Sequence, residues 1–213
     1  MKSVFIEARY NGKIFIDPES ISKLPHQIGL VGTAQFTGCF DEIKKQLQQK
    51  KVVIGKGRPN DGQILGCDVS SAEKIKNQID AFLYVGTGHF HPLMLGLLDK
   101  DVFLLNPFDG RIKKLEKEVI ENYKKRKKGA MIKFLAARNV GILVSTKEGQ
   151  KYSLNKIEAI EKKYKDKKFY YFIADNIDIK QFENFRFIEA WVNTACPRLE
   201  EDCLLLNIKD III

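Results

Sequence analysis

Cysteine is the residue type through which this sequence offers distinctive chemistry. Four are present in 213 residues, Cys39, Cys67, Cys196 and Cys203, and no two are closely spaced. So few thiols in so long a chain do not make a disulfide framework, and a reducing compartment leaves them as free thiols or metal ligands. Two end marked runs: Cys67 closes Gln63-Ile64-Leu65-Gly66-Cys67, and Cys196 follows Trp191-Val192-Asn193-Thr194-Ala195 and precedes Pro197-Arg198. Structural zinc takes four ligands, commonly as close cysteine pairs, and such pairs are missing here. Ligands far apart, one per structural unit, suit an iron–sulfur cluster with an open iron position. Spacing alone does not choose between the two. Any one of these cysteines, taken alone, reads as a small buried hydrophobe.

Other groups carry weaker signals. His89 and His91 stand two apart before Pro92, a placement more typical of hydrogen-bonded structural histidines than of metal ligands. Gly55 to Gly62 is a glycine-rich loop whose spacing fits neither a phosphate-binding loop nor a dinucleotide fingerprint. Thr146, Lys147 and Gln150 follow an apolar strand at a helix entrance, where backbone amides either receive a carboxylate or are simply capped.

The elements that must position these groups alternate. Gln27–Thr33, Val52–Ile54, Ala81–Val85 and Val102–Leu105 read as short buried strands, with helices expected over 40–49, 71–77 and 93–98. The pattern restarts at Val140–Ser145, with a helix over 154–164, a strand at Phe169–Ile173, a short helix over 179–185 and a strand at Ala190–Asn193. Gly29 and Gly141, and Ala81 and Ala190, lie at nearly equal separations, which marks an internal repeat. The expectation is an α/β protein of two similar domains, each a small parallel sheet flanked by helices with right-handed crossovers. Val4–Tyr10 and Lys13–Ile16 read as a strand and its return about Asn11-Gly12, a lead-in segment over 1–26. The domains are expected over 27–112 and 130–213. A basic amphipathic helix from Arg111 to Lys128, capped by Gly129, would connect them over 113–129.

In a parallel sheet the functional face lies beyond the carboxyl ends of the strands. Cys196, Cys67 and Cys39 all fall on that side by this reading, and Cys203 on the opposite one. Composition fits a globular interior: 44% of residues are apolar and the net charge is +9, which favours acidic partners or reflects lysines on polar helix faces. No stretch reads as a membrane span or signal peptide, so an intracellular, cytoplasmic protein with no membrane role is expected.

The runs Gln63–Cys67, Gly86-Thr87-Gly88 with Phe90-His91-Pro92, Ser145-Thr146-Lys147-Glu148-Gly149-Gln150 and Val192–Arg198 together resemble the diphthamide synthase family, the 2-(3-amino-3-carboxypropyl)histidine synthases of archaea and eukaryotes. The resemblance extends over essentially the whole chain. It implies three similar α/β domains that each give one cysteine to a [4Fe-4S] cluster, which binds S-adenosyl-L-methionine. The 3-amino-3-carboxypropyl group then passes to a histidine of translation elongation factor 2. On this resemblance Cys67 and Cys196 are cluster ligands from the family's second and third domains. Thr146, Lys147, Gln150 and Arg198 orient the amino-acid end of the methionine moiety, with Lys147 or Arg198 opposite its carboxylate. The family's first domain, with its cysteine, has no counterpart here. The expectation is therefore a homo- or hetero-oligomer in which another synthase chain supplies it. Substitution by Cys39, loss of the chemistry, and a purely non-catalytic partner role remain open, and direct nucleic-acid binding is not expected.

Overall fold

The computed structural model describes residues 4, 6–150, 154–201 and 203–211, and the chain divides into compact units over 1–120 and 121–213. In chain order the elements are α1 (Pro18–Ser22), β1 (Gln27–Gly32), α2 (Phe40–Gln46), β2 (Lys51–Val53), α3 (Ser70–Glu73), β3 (Ala81–Val85), α4 (Phe90–Gly96), β4 (Asp101–Leu105), β5 (Ile112–Lys114), α5 (Lys117–Ala136), β6 (Asn139–Ser145), α6 (Leu154–Lys163), β7 (Lys168–Ala174), β8 (Ala190–Asn193), β9 (Leu206–Asn207) and α7 (Ile208–Ile211). Among the described residues no helix is long and apolar enough to cross a membrane.

The first unit holds a sheet ordered β2-β1-β3-β4-β5, parallel except for the last pair. Side chains alternate along β1 and β3, so each strand feeds two cores. Ile28, Leu30, Ala81, Leu83 and Val85 meet Phe40, Ile43 and Leu47 of α2 and its C-cap on one face. Val31, Phe82 and Tyr84 meet Ile64, Ala72, Ile75 and Leu95 on the other. Burial on both faces is why these strands read as continuous apolar runs.

The second unit repeats the plan in the order β7-β6-β8-β9, all parallel. Register establishes the equivalence. Ile28 pairs with Ala81 and Gly29 with Phe82, while Val140 pairs with Ala190 and Gly141 with Trp191. The two glycines also do the same work: a Cβ on Gly29 would lie 2.7 Å from the Ile79 side chain, and one on Gly141 would lie 2.5 Å from the Trp191 ring. One face of this sheet packs on α5, α6 and α7 through Phe134, Ile157, Ile160, Ile208 and Ile211. The opposite face carries Leu143 and Trp191 under Phe182 and Phe185 of an irregular connection whose regular part is the 3-10 turn Ile179–Asn184.

Three expectations are corrected. The lead-in residues form no strand among 4 and 6–16, because α2 supplies the hydrogen-bond partners that a hairpin would have given. Gln46 donates to Ile14 O at 2.7 Å and accepts from Ile16 N at 2.9 Å. The segment expected to begin the connecting helix is instead β5, antiparallel to β4: Ile112 and Leu115 are three apart, a spacing that fits a helix, but Asn106 N donates to Arg111 O and Leu115 N to Val102 O. Gly129 does not end α5, which continues seven residues further because Ala130 and Phe134 prolong the buried stripe begun by Tyr123. The helix is closed by Lys167, whose ammonium donates to Leu135 O at 2.8 Å and Ala137 O at 2.6 Å.

These placements give two glycines opposite fates on substitution. Gly141→Ala forces a methyl into the Trp191 ring and should cost about 1–3 kcal/mol. Gly129→Ala meets nothing within 4 Å in mid-helix and should gain about 0.5–1 kcal/mol. Urea unfolding of the two variants checks both signs.

Candidate functional site

Cys67 is carried by a turn fastened to the end of β1. Gly32, the last residue of that strand, donates to Gly62 O at 3.1 Å and accepts from Ile64 N at 2.9 Å, so the returning chain runs parallel beside it. Ile64 is fully buried and anchors the return. Leu65 and Asp68 then exchange two backbone hydrogen bonds, of 2.8 and 3.1 Å, with Gly66 and Cys67 at the corners between them. The thiol is exposed at the carboxyl end of the sheet.

Gly66 explains how the turn is held. A Cβ there would lie 1.8 Å from the Phe90 ring, so the ring packs directly on the turn backbone. Phe90 opens α4, immediately after Gly86-Thr87-Gly88-His89. Two runs that are separate in sequence therefore meet at one point. His91 is stacked at 14° on Tyr84, with ring centroids 6.3 Å apart, and lies edge-on to Phe90. The Tyr84 hydroxyl is buried without a hydrogen-bond partner among the described residues, and burial pushes its pKa up to about 12.

Cys196 is positioned by polar side chains at the end of β8. Asn193, fully buried, accepts from Ala195 N at 2.9 Å and donates through Nδ2 to Cys196 O at 2.9 Å, which bends the chain sharply. Thr194 donates through Oγ1 to Leu143 O at 2.7 Å, tying the bend to β6. Leu199 N then bonds Cys196 O at 3.1 Å, opening the 3-10 turn Pro197–Glu201. The Cys196 thiol is half-buried, and Arg198 is exposed.

Glu200 fixes the far end of that turn. It is 7% exposed, accepts from the Tyr123 hydroxyl at 3.2 Å, and its backbone carbonyl accepts from Arg126 at 2.5 Å. Asp210 of α7 stands nearby, paired with Lys127 at 2.6 Å. Burial, reinforced by the Asp210 charge, raises the Glu200 pKa to about 6 against the pull of Lys127. The sequence carries no sign of this network, because Glu200 lies in a run of polar residues that reads as solvated surface.

Thr146, Lys147 and Gln150 lie in the turn beyond the carboxyl end of β6, in the same unit as Cys196. Thr146 N donates to Ala174 O at 3.1 Å, and its hydroxyl bonds Asp175. Ser145 Oγ accepts from Lys147 N and donates to Gln150 Oε1, each at 3.3 Å, and Gly149 at φ +80° closes the turn. Thr146 and Lys147 are exposed and Gln150 is half-buried. The expected junction with the next helix, at 151–153, lies outside the described residues.

The remaining cysteines differ in kind. Cys39 is 7% exposed in the core of the first unit, its thiol 3.8 Å from Tyr10 O, and burial followed by the Glu42 charge raises its pKa. That environment disfavours the thiolate a metal needs. Cys203 packs beside Trp191 and Leu205 just before β9. No three His, Cys, Asp or Glu side chains among the described residues converge into a ligand set. The first unit thus offers one exposed thiol, Cys67, and the second two half-buried ones, of which Cys196 stands on a hydrogen-bonded turn; a thiolate is a soft donor suited to iron or another thiophilic metal.

A family model described as putative diphthamide synthesis protein matches residues 4–203. The chain is 29% identical over 201 residues to 2-(3-amino-3-carboxypropyl)histidine synthase subunit 1 of Schizosaccharomyces pombe, covering 85% of this chain and 45% of the relative. It is 30% identical over 190 residues to 2-(3-amino-3-carboxypropyl)histidine synthase of Pyrococcus horikoshii, covering 85% and 53%. It is also similar to the crystal structure of Dph2 from Pyrococcus horikoshii with a 4Fe-4S cluster, at TM-score 0.77 and 28% identity over 91% of this chain and 58% of that one. The chain spans about half the length of the curated relatives it matches.

Two outcomes follow from the geometry. Alkylation of the folded protein followed by peptide mapping should modify Cys67 first and Cys39 only on unfolding; early loss of the Cys39 thiol would contradict its placement. Because the Glu200 pKa is raised on folding, its contribution to stability is fully present below the ordinary value of 4.5 and is lost as pH rises through about 6. Glu200→Gln should therefore gain about 2 kcal/mol relative to the parent above pH 6 and little below 4.5, read from urea midpoints across pH.

Proposed function

Since the chain belongs to the diphthamide synthesis protein family, we propose that it is the catalytic portion of a 2-(3-amino-3-carboxypropyl)histidine synthase, acting in the first step of diphthamide biosynthesis. The observation that carries this reading is the matched presentation of Cys67 and Cys196. Each stands on a hydrogen-bonded turn at the carboxyl end of its own sheet, whereas Cys39 is buried in a core and Cys203, half-buried like Cys196, packs among apolar side chains before β9. In this reading Cys67 and Cys196 are two ligands of a [4Fe-4S] cluster. When bound and reduced, the cluster supplies the cleavage of S-adenosyl-L-methionine that releases a 3-amino-3-carboxypropyl radical for transfer to a histidine of translation elongation factor 2.

The chain's own residues hold and orient. Asn193 and Thr194 fix the direction of the Cys196 turn, and Phe90 pressed on Gly66 fixes that of Cys67. In this reading Lys147 or Arg198, both exposed cations in the second unit, would pair with the methionine carboxylate, and Thr146 and Gln150 would offer hydrogen bonds to its amino-acid end. Burial disfavours Cys39 as a further ligand. We take the chain to act together with an associated synthase chain. The naming of relatives as subunit 1 supports such an assembly.

A second reading, a non-catalytic subunit that completes such a complex, makes the opposite demand on the sulfurs. The complex, reduced and supplied with S-adenosyl-L-methionine labelled in its aminocarboxypropyl part, should transfer label to elongation factor 2. Cys67→Ala or Cys196→Ala should abolish transfer while the subunits still associate. Transfer that survives both replacements would leave the chain a binding role only.

A further inference from the structure

The two sheets end in four edge strands, and three of these are guarded against further pairing. β2 and β5 run three residues each and carry Lys51, Lys113 and Lys114, and β9 runs only two residues. β7 differs. It runs seven residues, Lys168–Ala174, and from Phe169 to Ala174 it holds no charge, no proline and no glycine. A long apolar edge without such guards offers its backbone to another strand.

Register identifies the groups on offer. Lys168 N donates to Arg138 O and Ala174 O accepts from Thr146 N, so Lys168, Tyr170, Phe172 and Ala174 bond towards β6. Phe169, Tyr171 and Ile173 therefore turn their N–H and C=O groups to the outer edge, where none of them bonds another described residue. Their side chains share the face on which α6 packs: Phe169 lies against that core and the Tyr171 hydroxyl donates to Glu161 at 2.5 Å. Tyr171 is nevertheless 42% exposed and Ile173 66%, so the edge is open in side chains as well as in backbone.

Symmetry and charge define what fits this edge. The outward residues are spaced by two with Tyr171 at their centre, so an antiparallel strand of the same sequence, related by a two-fold axis at Tyr171, meets them in register. Tyr171 then faces Tyr171 and Phe169 faces Ile173 as hydrogen-bonded pairs, with Tyr170 facing Phe172 between them. Each of these pairs is aromatic with aromatic or aromatic with β-branched, the combinations that favour cross-strand packing. Residues 165–168 carry three lysines and one aspartate, whereas Asp175 and Asp178 follow the strand with no cation before Lys180. Antiparallel self-pairing sets the basic end of each strand against the acidic end of the other.

We propose that the chain associates with a second copy of itself through β7, antiparallel about Tyr171, so that their two four-stranded sheets become one continuous sheet. The association involves neither thiol and stands whether or not Cys67 and Cys196 bind iron.

Sedimentation equilibrium of the whole chain should give a dimer in the micromolar range. Tyr171→Glu sets two carboxylates opposite each other, beside Glu161, and should weaken dimerisation by at least about tenfold. Ile173→Pro should do the same with circular dichroism unchanged, because the Ile173 N–H points away from β6 and its removal costs no bond of the existing sheet. Phe108→Lys, at a side chain also 66% exposed but in the first unit, should dimerise like the parent. Crosslinking reads the register: on mild oxidation Tyr171→Cys should give a dimer linked through position 171, and Ile173→Cys should give no linkage through position 173, which faces Phe169. The proposal is overturned by a parent that is monomeric or pairs only with a different chain, or by Ile173→Pro that is folded and still dimerises like the parent. Equal loss of the dimer in Phe108→Lys, or linkage through position 173 in place of 171, would overturn it as well.

Discussion

A parallel strand buried on both faces can place its connections only at its ends, and that constraint governs where the candidate functional residues of this protein stand. β1 pairs with β2 and β3, and β6 with β7 and β8, so each of these strands is flanked on both edges. The strand faces are filled by Ile, Leu, Val, Phe and Trp side chains. Polar or reactive groups have room only where strands stop. Cys67, Cys196, the Thr146–Gln150 turn and the Gly86–His89 loop all stand at such stops, at the carboxyl ends.

At those ends the unsatisfied backbone must find partners, and the partners determine how firmly each functional residue is held. Around Cys196 the work is done by side chains: Asn193 bridges Ala195 and Cys196, Thr194 returns to Leu143 O, and Glu200 anchors the following turn on Tyr123 and Arg126. Around Cys67 it is done by backbone, through Gly32, Gly62 and Ile64 and the paired bonds of Leu65 with Asp68, with Phe90 as a lid on Gly66. The two turns reach the same presentation by different local chemistry, although the sheets beneath them repeat in register.

Much of this was legible because apolar periodicity is strong where both faces are buried. β3 and β8 fall at the residues read from the sequence, and the correspondence of Gly29 with Gly141 and of Ala81 with Ala190 reappears as strand register. What failed to read was decided by contacts distant in sequence. Ile14 and Ile16 are extended and buried, but their partner is Gln46 of a helix. Ile112 and Leu115 carry a helical spacing, yet pairing with β4 makes the segment a strand. Gly129 looks like a helix stop, but a distant lysine at 167 provides the real one. At the site, Cys67 and Cys196 were visible as cysteines closing apolar runs, whereas the Asn193-Thr194 bend that turns the chain before Cys196 was read only as the end of a strand. The burial of Cys39 and the elevated Glu200 pKa depend on packing that no local pattern encodes.

The central proposal is that Cys67 and Cys196 are both ligands of an iron–sulfur cluster. Iron and sulfide content after anaerobic reconstitution of the chain with its associated synthase chain tests it most directly, compared among the parent, Cys67→Ala, Cys196→Ala and Cys39→Ala. The account predicts that either of the first two replacements strips most of the iron and that Cys39→Ala retains it. Full iron and sulfide in Cys67→Ala or in Cys196→Ala would contradict it.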